Sequence, residues 1–256
     1  MAIALLAIVA TLYLGICGLL FVVQRSLLFP APKDLATPVD LERVQIPNGT
    51  FVLARWAPGE GPVVVHFHGN GEQVANLSWL GQAWAEHGCS FVAVEYPGYP
   101  GAPGEPSEES LTLAAEAALQ HLTGALKVDR SRIVLEGQSV GTGVAVTMIE
   151  KGWGARLVLL SPYTSLPDVA ASAFGWLPVR LLMRDRFDSR SRAGAVKVPT
   201  LIIHGTDDEV IPFVLAKELS TLIPGANFIA AQGRHHNDLW DDEAVQDAVF
   251  AFVSEP

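Results

Sequence analysis

The chain has 256 residues, half of them hydrophobic, and its formal net charge is -10. This length suits one large α/β domain with an appendage better than two domains. The acidic balance argues against a nucleic-acid partner, because phosphate binding needs a basic face. The two cysteines, Cys17 and Cys89, lie in different parts of the chain and predict neither a disulfide framework nor a metal site.

The N-terminal stretch over residues 3–23 carries no charged side chain. A helix of this length rises about 30 Å, enough to cross the hydrocarbon core of a bilayer. A cleaved signal peptide is the alternative, but the run exceeds the usual apolar core of such a peptide and no Ala-x-Ala site follows it. We therefore expect a retained transmembrane anchor over residues 1–23. Arg25 and Lys33 follow the span, which favours a cytoplasmic position for the rest of the chain.

A proline-containing segment after the anchor predicts an extended connector over residues 24–40. We expect the remaining residues, 41–256, to form one domain. Eight segments in it predict strands, over residues 41–46, 51–57, 63–68, 91–95, 132–136, 155–160, 200–204 and 227–230. Several are apolar on consecutive residues, which is typical of parallel strands covered on both faces. The first two flank Pro47-Asn48-Gly49 and predict an antiparallel hairpin at one edge.

Helical periodicity separates most of these strands, which predicts a parallel sheet with helices on both sides. Three residues mark predicted helix ends. Gly88 stands where the helix after the third strand should stop, and Ser107 is a candidate N-cap for the helix that follows Pro106. Asp238 is the expected N-cap of the last helix.

The motif Gly137-Gln138-Ser139-Val140-Gly141 follows a predicted strand and opens a predicted helix. A serine at such a turn adopts a strained backbone conformation with its hydroxyl above the sheet, and the flanking glycines let strand and helix approach closely. The helix N-terminus also favours the negative charge that develops in acyl transfer. The motif therefore predicts Ser139 as a nucleophile; a glycine-rich structural turn is the alternative.

A nucleophilic serine needs a base and an orienting acid, which in this arrangement follow it in the order acid, then histidine. Asp207 and Asp208 come directly after the predicted strand 200–204, and His235 and His236 follow the next one. Both pairs should therefore lie at the carboxyl edge of the sheet, where ligands bind. Capping of the next helix by the aspartates and a solvated histidine loop are the alternatives. The residues leave the choice within each pair open.

Two backbone N–H groups are expected to bind the oxyanion, one of them on the residue after the nucleophile, Val140. The other should follow an early strand, which makes Asn70 or Gly71 the candidate. A metal site at His66 and His68 is the competing interpretation, but no third ligand is evident.

An insert over residues 162–197 is the size of a small lid. It carries apolar residues over 174–183 and arginines at positions 180, 184, 186, 190 and 192. A helical cover with a solvated basic face is one interpretation. The other is an acyl pocket whose arginines meet lipid head groups, because the anchor would hold this region near a bilayer.

The motifs together resemble those of a known family. They are HFHGNGE, EYPGYPG with GEPSE, GQSVGTG, SPYTSL, HGTDDEVIP and HHND. Over residues 24–252 the chain is similar to the Bem46-like α/β-hydrolases and to the membrane hydrolases called α/β-hydrolase domain-containing proteins 13 and 17. The resemblance implies an α/β-hydrolase fold with a mostly parallel eight-stranded sheet, helices on both faces, a small lid and an N-terminal transmembrane helix. Its patterns imply Asp208 as the acid and His236 as the base. The segment 95–100 departs from the relatives, many of which carry Arg-Gly-Tyr-Gly there.

The implied function is hydrolysis of carboxylic ester or acyl-thioester bonds in lipid-like or acylated substrates. Ser139, Asp208 and His236 would form the triad, and the backbone N–H groups of Val140 and Asn70 the oxyanion hole. The resemblance implies no metal and no organic cofactor. The expected partners are an ester substrate and the membrane. A catalytically silent, membrane-tethered binding or scaffold protein is the first alternative, although a scaffold has no need of all three side chains; a serine peptidase is the second.

Overall fold

The computed structural model describes residues 1–33, 40–45, 51–55 and 61–255. The N-terminal apolar run forms helix α1 (Ala2–Leu28), whose most apolar window has a mean hydropathy of 2.6. By length and composition this helix can cross a membrane. It runs five residues beyond the predicted anchor, so the first part of the predicted connector is helical. The helix stops just before Pro30, because a residue that precedes proline is disfavoured in the α conformation.

Eight strands form one sheet in the described part of the chain. They are β1 (Glu42–Gln45), β2 (Phe51–Arg55), β3 (Val63–Phe67), β4 (Ser90–Val94), β5 (Ile133–Gln138), β6 (Arg156–Leu160), β7 (Thr200–Gly205) and β8 (Asn227–Ala231). Their order in the sheet is β1-β2-β4-β3-β5-β6-β7-β8. All pairs from β4 to β8 are parallel, and β2 pairs antiparallel with both β1 and β4. The predicted edge hairpin is confirmed; its turn, residues 47–49, lies outside the described residues.

Helices cover both faces of this sheet. They are α2 (Ser78–Glu86), α3 (Glu108–Gly124), α4 (Val140–Glu150), α5 (Leu166–Ala173), α6 (Val179–Leu182), α7 (Ser189–Arg192), α8 (Phe213–Leu222) and α9 (Glu243–Ser254). Side chains of α3, α4 and α8 share one core with Val63 and Val65, whereas α2 and α9 share the other core with Val64. Alternate residues of β3 thus enter opposite cores, which explains why its sequence is apolar at every position.

Two of the three predicted helix ends are confirmed. The Ser107 hydroxyl accepts the N–H of Ser110 at the start of α3, and Gly88 follows α2 with a φ of +74°. The prediction for Asp238 is wrong. The N-cap of α9 is Asp242, which accepts the N–H of Ala244, because a 3₁₀ turn separates Asp238 from the helix.

The part of the insert that contains α5 and α6 packs along α1 from Tyr13 to Arg25, whereas α7 packs against α4. The Tyr13 hydroxyl donates to the carbonyl of Trp176, and Gln24 exchanges hydrogen bonds with Leu182 and Arg184. Two contacts tie α1 to the rest of the domain. Arg25 forms a bidentate ion pair with the buried carboxylate of Asp185. Phe29, just after α1, is buried in the core that contains α3 and α4.

Candidate active site

Ser139 occupies the turn between β5 and α4, with φ of 51° and ψ of -121°. A non-glycine residue with positive φ is strained, and such strain concentrates at functional sites. A Cβ atom at Gly137 would lie 2.5 Å from the Gly141 carbonyl oxygen, and one at Gly141 would lie 1.9 Å from the carbonyl oxygen of Phe67. The two glycines therefore allow the close contacts of strand, turn and helix that the motif predicts.

Three side chains that are far apart in the sequence meet above this turn. The Ser139 Oγ atom lies 3.0 Å from Nε2 of His236, and Nδ1 of the same ring lies 2.7 Å from Oδ2 of Asp208. Asp208 follows β7 and His236 follows β8, both at the carboxyl edge of the sheet. This is the spatial relation that a serine nucleophile needs with its base and with the acid that orients the base.

The Asp208 carboxylate is fully buried and hydrogen-bonded on both oxygens. Its Oδ1 atom accepts the N–H groups of Val210 and Ile211 at 2.9 and 2.8 Å, and its Oδ2 atom faces His236. Burial raises the pKa of Asp208, but the hydrogen bonds from His236 and Ile211 outweigh burial and hold the pKa below its ordinary value. The carboxyl group is therefore ionised at neutral pH.

The other member of each sequence pair points elsewhere. Asp207 is exposed and accepts a hydrogen bond from the Thr206 hydroxyl. His235 is also exposed, and its Nδ1 atom lies 3.1 Å from a carboxylate oxygen of Glu209. The structure thus brings Asp208 and His236 to Ser139, and leaves Asp207 and His235 on the solvent side of the same loops.

The backbone of Val140 and Asn70 borders the serine. The N–H of Val140 belongs to the first turn of α4, where N–H groups have no partner within the helix. Asn70 follows β3 in the loop that touches the turn, since a Cβ atom at Gly69 would lie 3.6 Å from the Ser139 Cβ. Among the described residues, neither of these two N–H groups donates a hydrogen bond. Both can therefore serve an oxygen bound at Ser139.

Proteins related in sequence align over most of this chain. An uncharacterised protein of Mycobacterium tuberculosis is 34% identical over an alignment of 272 positions, which covers 99% of this chain and 95% of that protein. An α/β-hydrolase domain-containing protein of Caenorhabditis elegans is 30% identical over 205 residues, or 78% of this chain and 60% of that protein. The chain belongs to the α/β-hydrolase superfamily. No protein-family model matches it.

Solved structures support the same fold for this α/β-hydrolase. An esterase of Pyrococcus furiosus superimposes with a TM-score of 0.71 at 16% identity, over 87% of this chain and 98% of that one. At such low identity the likeness establishes the fold and leaves the activity to be argued from the site.

A buried histidine that the sequence did not single out lies against the Asp208 carboxylate. Nε2 of His204, at the end of β7, lies 3.2 Å from Oδ2 of Asp208 and 3.0 Å from the carbonyl oxygen of Ile211. Burial lowers the pKa of His204, although Asp208 acts in the opposite direction. Because a carbonyl oxygen only accepts, Nε2 of the neutral ring donates its N–H to Ile211, and the Asp208 carboxylate lies close to the same N–H group. The sequence signal that could have identified His204 is its position four residues before Asp208, at the end of the same strand.

A second buried network holds the loop of Asn70. The Tyr99 hydroxyl donates to the carbonyl of Asn70 at 2.5 Å, and the Tyr96 hydroxyl donates to the carbonyl of His68 at 2.9 Å. His68 in turn lies 3.1 Å from the buried carboxylate of Glu95. The segment 95–100, which departs from the family pattern, thus fixes the loop beside Ser139.

The two histidines of the competing metal interpretation make separate contacts in the structure. Nδ1 of His66 lies 2.7 Å from the buried Glu136 carboxylate, and His68 faces Glu95 instead. Each histidine therefore has its own carboxylate partner. Within residues 1–33, 40–45, 51–55 and 61–255, no cluster of three His, Cys, Asp or Glu side chains is arranged to hold a metal ion.

A cleft of about 670 Å³ opens over Ser139 and His236. Its lining includes Asn70, Trp79 and Trp240, together with Gln138 and Ser139 of the serine turn. The residues that line it come from outside the insert 162–197, which borders α1. The cleft has room for a substrate, and its exposure to solvent gives water access to the serine.

Proposed function

We propose that this protein is a membrane-anchored serine hydrolase that cleaves carboxylic ester or acyl-thioester bonds in lipid-like or acylated substrates. Ser139 is the nucleophile, His236 the general base and Asp208 the acid that orients it. The anchor is residues 1–23, most of helix α1, and Arg25 and Lys33 after residue 23 favour a cytoplasmic catalytic domain.

One observation carries the proposal, which is the continuous hydrogen-bonded path from Ser139 through His236 to Asp208. Its two links measure 3.0 and 2.7 Å, and they use opposite nitrogens of one imidazole ring. Because the Asp208 carboxylate accepts at Nδ1, the proton resides there and Nε2 is free to accept the serine proton. A surface histidine without this buried partner would have no fixed tautomer.

In the first step, Ser139 Oγ attacks the substrate carbonyl while its proton passes to Nε2 of His236. The carbonyl oxygen becomes an oxyanion, which the N–H groups of Val140 and Asn70 stabilise. The imidazolium then gives its proton to the leaving alcohol or thiol, and the carbonyl-to-leaving-group bond breaks. The acyl group remains on Ser139 as an ester.

In the second step, a water molecule attacks the acyl-serine. His236 takes a proton from that water and returns it to Ser139 Oγ as the acyl-oxygen bond breaks, which releases a carboxylic acid. The fully buried Asp208 carboxylate stabilises the imidazolium in both steps, because it is ionised and hydrogen-bonded on both oxygens.

The test is a profile of activity against p-nitrophenyl esters and acyl-thioesters of increasing chain length. We expect the wild-type protein to hydrolyse members of both series, and Ser139→Ala to lose at least about 10⁴-fold in kcat. Ser131→Ala, an exposed serine outside the cleft, is the matched control and should retain full activity. Equal turnover by wild type and Ser139→Ala would refute the assignment.

A further inference from the structure

An apolar groove lies between α1 and the insert, apart from the serine cleft. Its volume is about 250 Å³, and its wall is almost entirely apolar. Helix α1 supplies Leu20, Leu27 and Leu28, and the insert supplies Phe174, Leu177 and Leu182 among others. An apolar cavity of about 150 Å³ can hold a benzene ring, so this groove has room for a segment of alkyl chain.

The contacts along α1 give the depth of the insert relative to the anchor. Arg25 meets Asp185 near the end of the helix, and Tyr13 meets Trp176 twelve residues earlier. At 1.5 Å per residue these contacts are about 18 Å apart along the helix. One leaflet of hydrocarbon is about 15 Å thick, half of the core. If α1 spans the bilayer, the insert must extend through the hydrocarbon of one leaflet.

The outward side chains of the insert suit that position. Phe174, Trp176 and Leu181 are exposed by 50%, 59% and 84%. Exposed apolar residues clustered on one segment are unusual in a soluble protein and mark a membrane or partner surface. Because all three lie beside an apolar helix, their contact with lipid is favourable.

The backbone of this segment is also largely satisfied within the protein. The Tyr13 hydroxyl donates to the carbonyl of Trp176, and the N–H of Leu177 donates to the carbonyl of Phe174. The N–H of Phe174 donates to the carbonyl of Ala170. Irregular backbone is tolerated at membrane depth only when its polar groups have such partners.

An exposed arginine of the insert lies beside the groove, at the level of Leu20 and Phe21 on α1. The Arg184 guanidinium stacks over the Phe21 ring at 4.1 Å. In the described part of the chain, no carboxylate lies within ion-pair distance of Arg184 or Arg186, and both are exposed. An apolar groove bordered by an arginine that has no ion-pair partner among the described residues is complementary to a phospholipid, whose phosphate adjoins its acyl chains.

We propose that this groove holds one acyl chain of a phospholipid from the surrounding leaflet. The inference rests on the membrane anchoring proposed above and not on the hydrolytic activity. The acyl chain lies along Leu20 to Leu28, a rise of about 12 Å. The Leu28 carbonyl accepts a hydrogen bond from the Asn70 side chain at 3.1 Å, so the shallow end of the groove adjoins the loop beside Ser139.

The test uses the full chain in phosphatidylcholine vesicles that contain a small fraction of phosphatidylcholine with a diazirine in one acyl chain. After irradiation and proteolysis, mass spectrometry locates the lipid adducts. We expect adducts on α1 and on the insert over residues 174–183. Leu27→Trp fills the groove and should lower the insert adducts several-fold. Leu19→Trp is the matched control on the same helix, since Leu19 and Leu27 are exposed by 63% and 64% but only Leu27 lines the groove.

Adducts on α1 without adducts on the insert would overturn the inference, and so would equal insert labelling in the two tryptophan variants. Absence of adducts from α1 as well would refute the anchoring and the groove together. Ser139→Ala should be labelled like the wild type, because lipid binding here needs no catalysis. A failure of the hydrolase proposal would leave the labelling pattern unchanged, so the two proposals fail separately.

Discussion

The rim of the sheet is its carboxyl edge, which carries Ser139, Asp208 and His236. It is held in place by different forces from the insert that packs on α1. At the rim, buried hydrogen bonds and backbone contacts fix each group, and the Asp208 carboxylate is completely buried. In the insert, ion pairs and an apolar groove connect elements that remain partly exposed. The sheet thus holds its side chains in a rigid geometry, whereas the insert packs on α1 through partly exposed contacts, where we propose that it binds lipid.

The largest expected effect comes from adding a side-chain carbon at Gly141, in the turn that carries Ser139. A Cβ atom there would lie 1.9 Å from the Phe67 carbonyl oxygen and 2.8 Å from that of His68. Both are backbone atoms, which can move away only at a large cost in free energy. We expect Gly141→Ala to abolish activity and to lower the free energy of unfolding by more than about 4 kcal/mol, the range reserved for severe changes. Thermal and denaturant unfolding would measure it.

Gly194→Ala, in the insert, is the control for this prediction. No atom lies within 4 Å of a Cβ at that position, so its stability should change by less than about 0.5 kcal/mol. If the two alanine variants were equally stable, the tight packing of the serine turn would be disproved.

Next in size is the effect of Asp208→Asn on catalysis. The amide cannot hold the Nδ1 proton of His236 as the carboxylate does, so kcat should fall about 10⁴-fold with little change of fold. Asp207→Asn, its exposed neighbour, should have wild-type kcat. The opposite result, with Asp207 essential and Asp208 dispensable, would move the acid to the other member of the pair.

A smaller catalytic effect is expected at His204, which acts on Asp208 and not on substrate. His204→Leu removes the Nε2–H group that bonds to the Ile211 carbonyl and whose nitrogen lies 3.2 Å from the carboxylate, and a small displacement of a catalytic group costs about 10²-fold. We expect kcat to fall while KM is unchanged, and His204→Gln to restore part of kcat through its amide N–H. A fall in stability alone, with kcat preserved in both variants, would show that His204 only fills the core.

The smallest effect is expected in the insert, at Asp168. Burial raises its pKa, but hydrogen bonds from Thr164, Ser165 and two arginines lower it to about 2. Because the folded pKa is depressed, the carboxylate stabilises the protein above its unfolded pKa of 3.8, and this contribution is lost as pH falls towards 2. Both guanidinium groups are largely exposed, so we expect Asp168→Asn to cost about 1 to 2 kcal/mol at pH 7.

The measurement is the melting temperature of wild type and Asp168→Asn between pH 7 and pH 2. The difference should shrink below pH 4. Asp247→Asn, an exposed carboxylate on α9, should show almost no difference at any pH. A gap at Asp168 that persists unchanged to pH 2 would contradict the role of its charge.

Local chemistry made much of the rim predictable from sequence. The serine turn needs glycines at positions 137 and 141, and the parallel strands need continuous apolar runs, so both leave readable patterns. The choice of Asp208 over Asp207 and of His236 over His235 had no such pattern, since a shift of one residue turns a side chain from the cleft to solvent. The resemblance supplied that choice.

The contacts of the insert are even less predictable from the sequence. Arg25 and Asp185 are 160 residues apart, and no periodicity tells which surfaces of α1 and the insert meet. The wrong cap at Asp238 has a local cause. Both Asp238 and Asp242 are good N-cap residues, and only the intervening 3₁₀ turn makes the later one the start of α9.

Reaction with a fluorophosphonate probe tests the central claim most directly, because only an activated serine is phosphonylated rapidly. The probe should add to one residue of the wild-type chain, which peptide mass spectrometry should identify as Ser139. Asp208→Asn should react far more slowly, and Ser139→Ala not at all. A probe adduct on any other residue, or an unreactive wild-type protein, would contradict the assignment of Ser139 as the nucleophile.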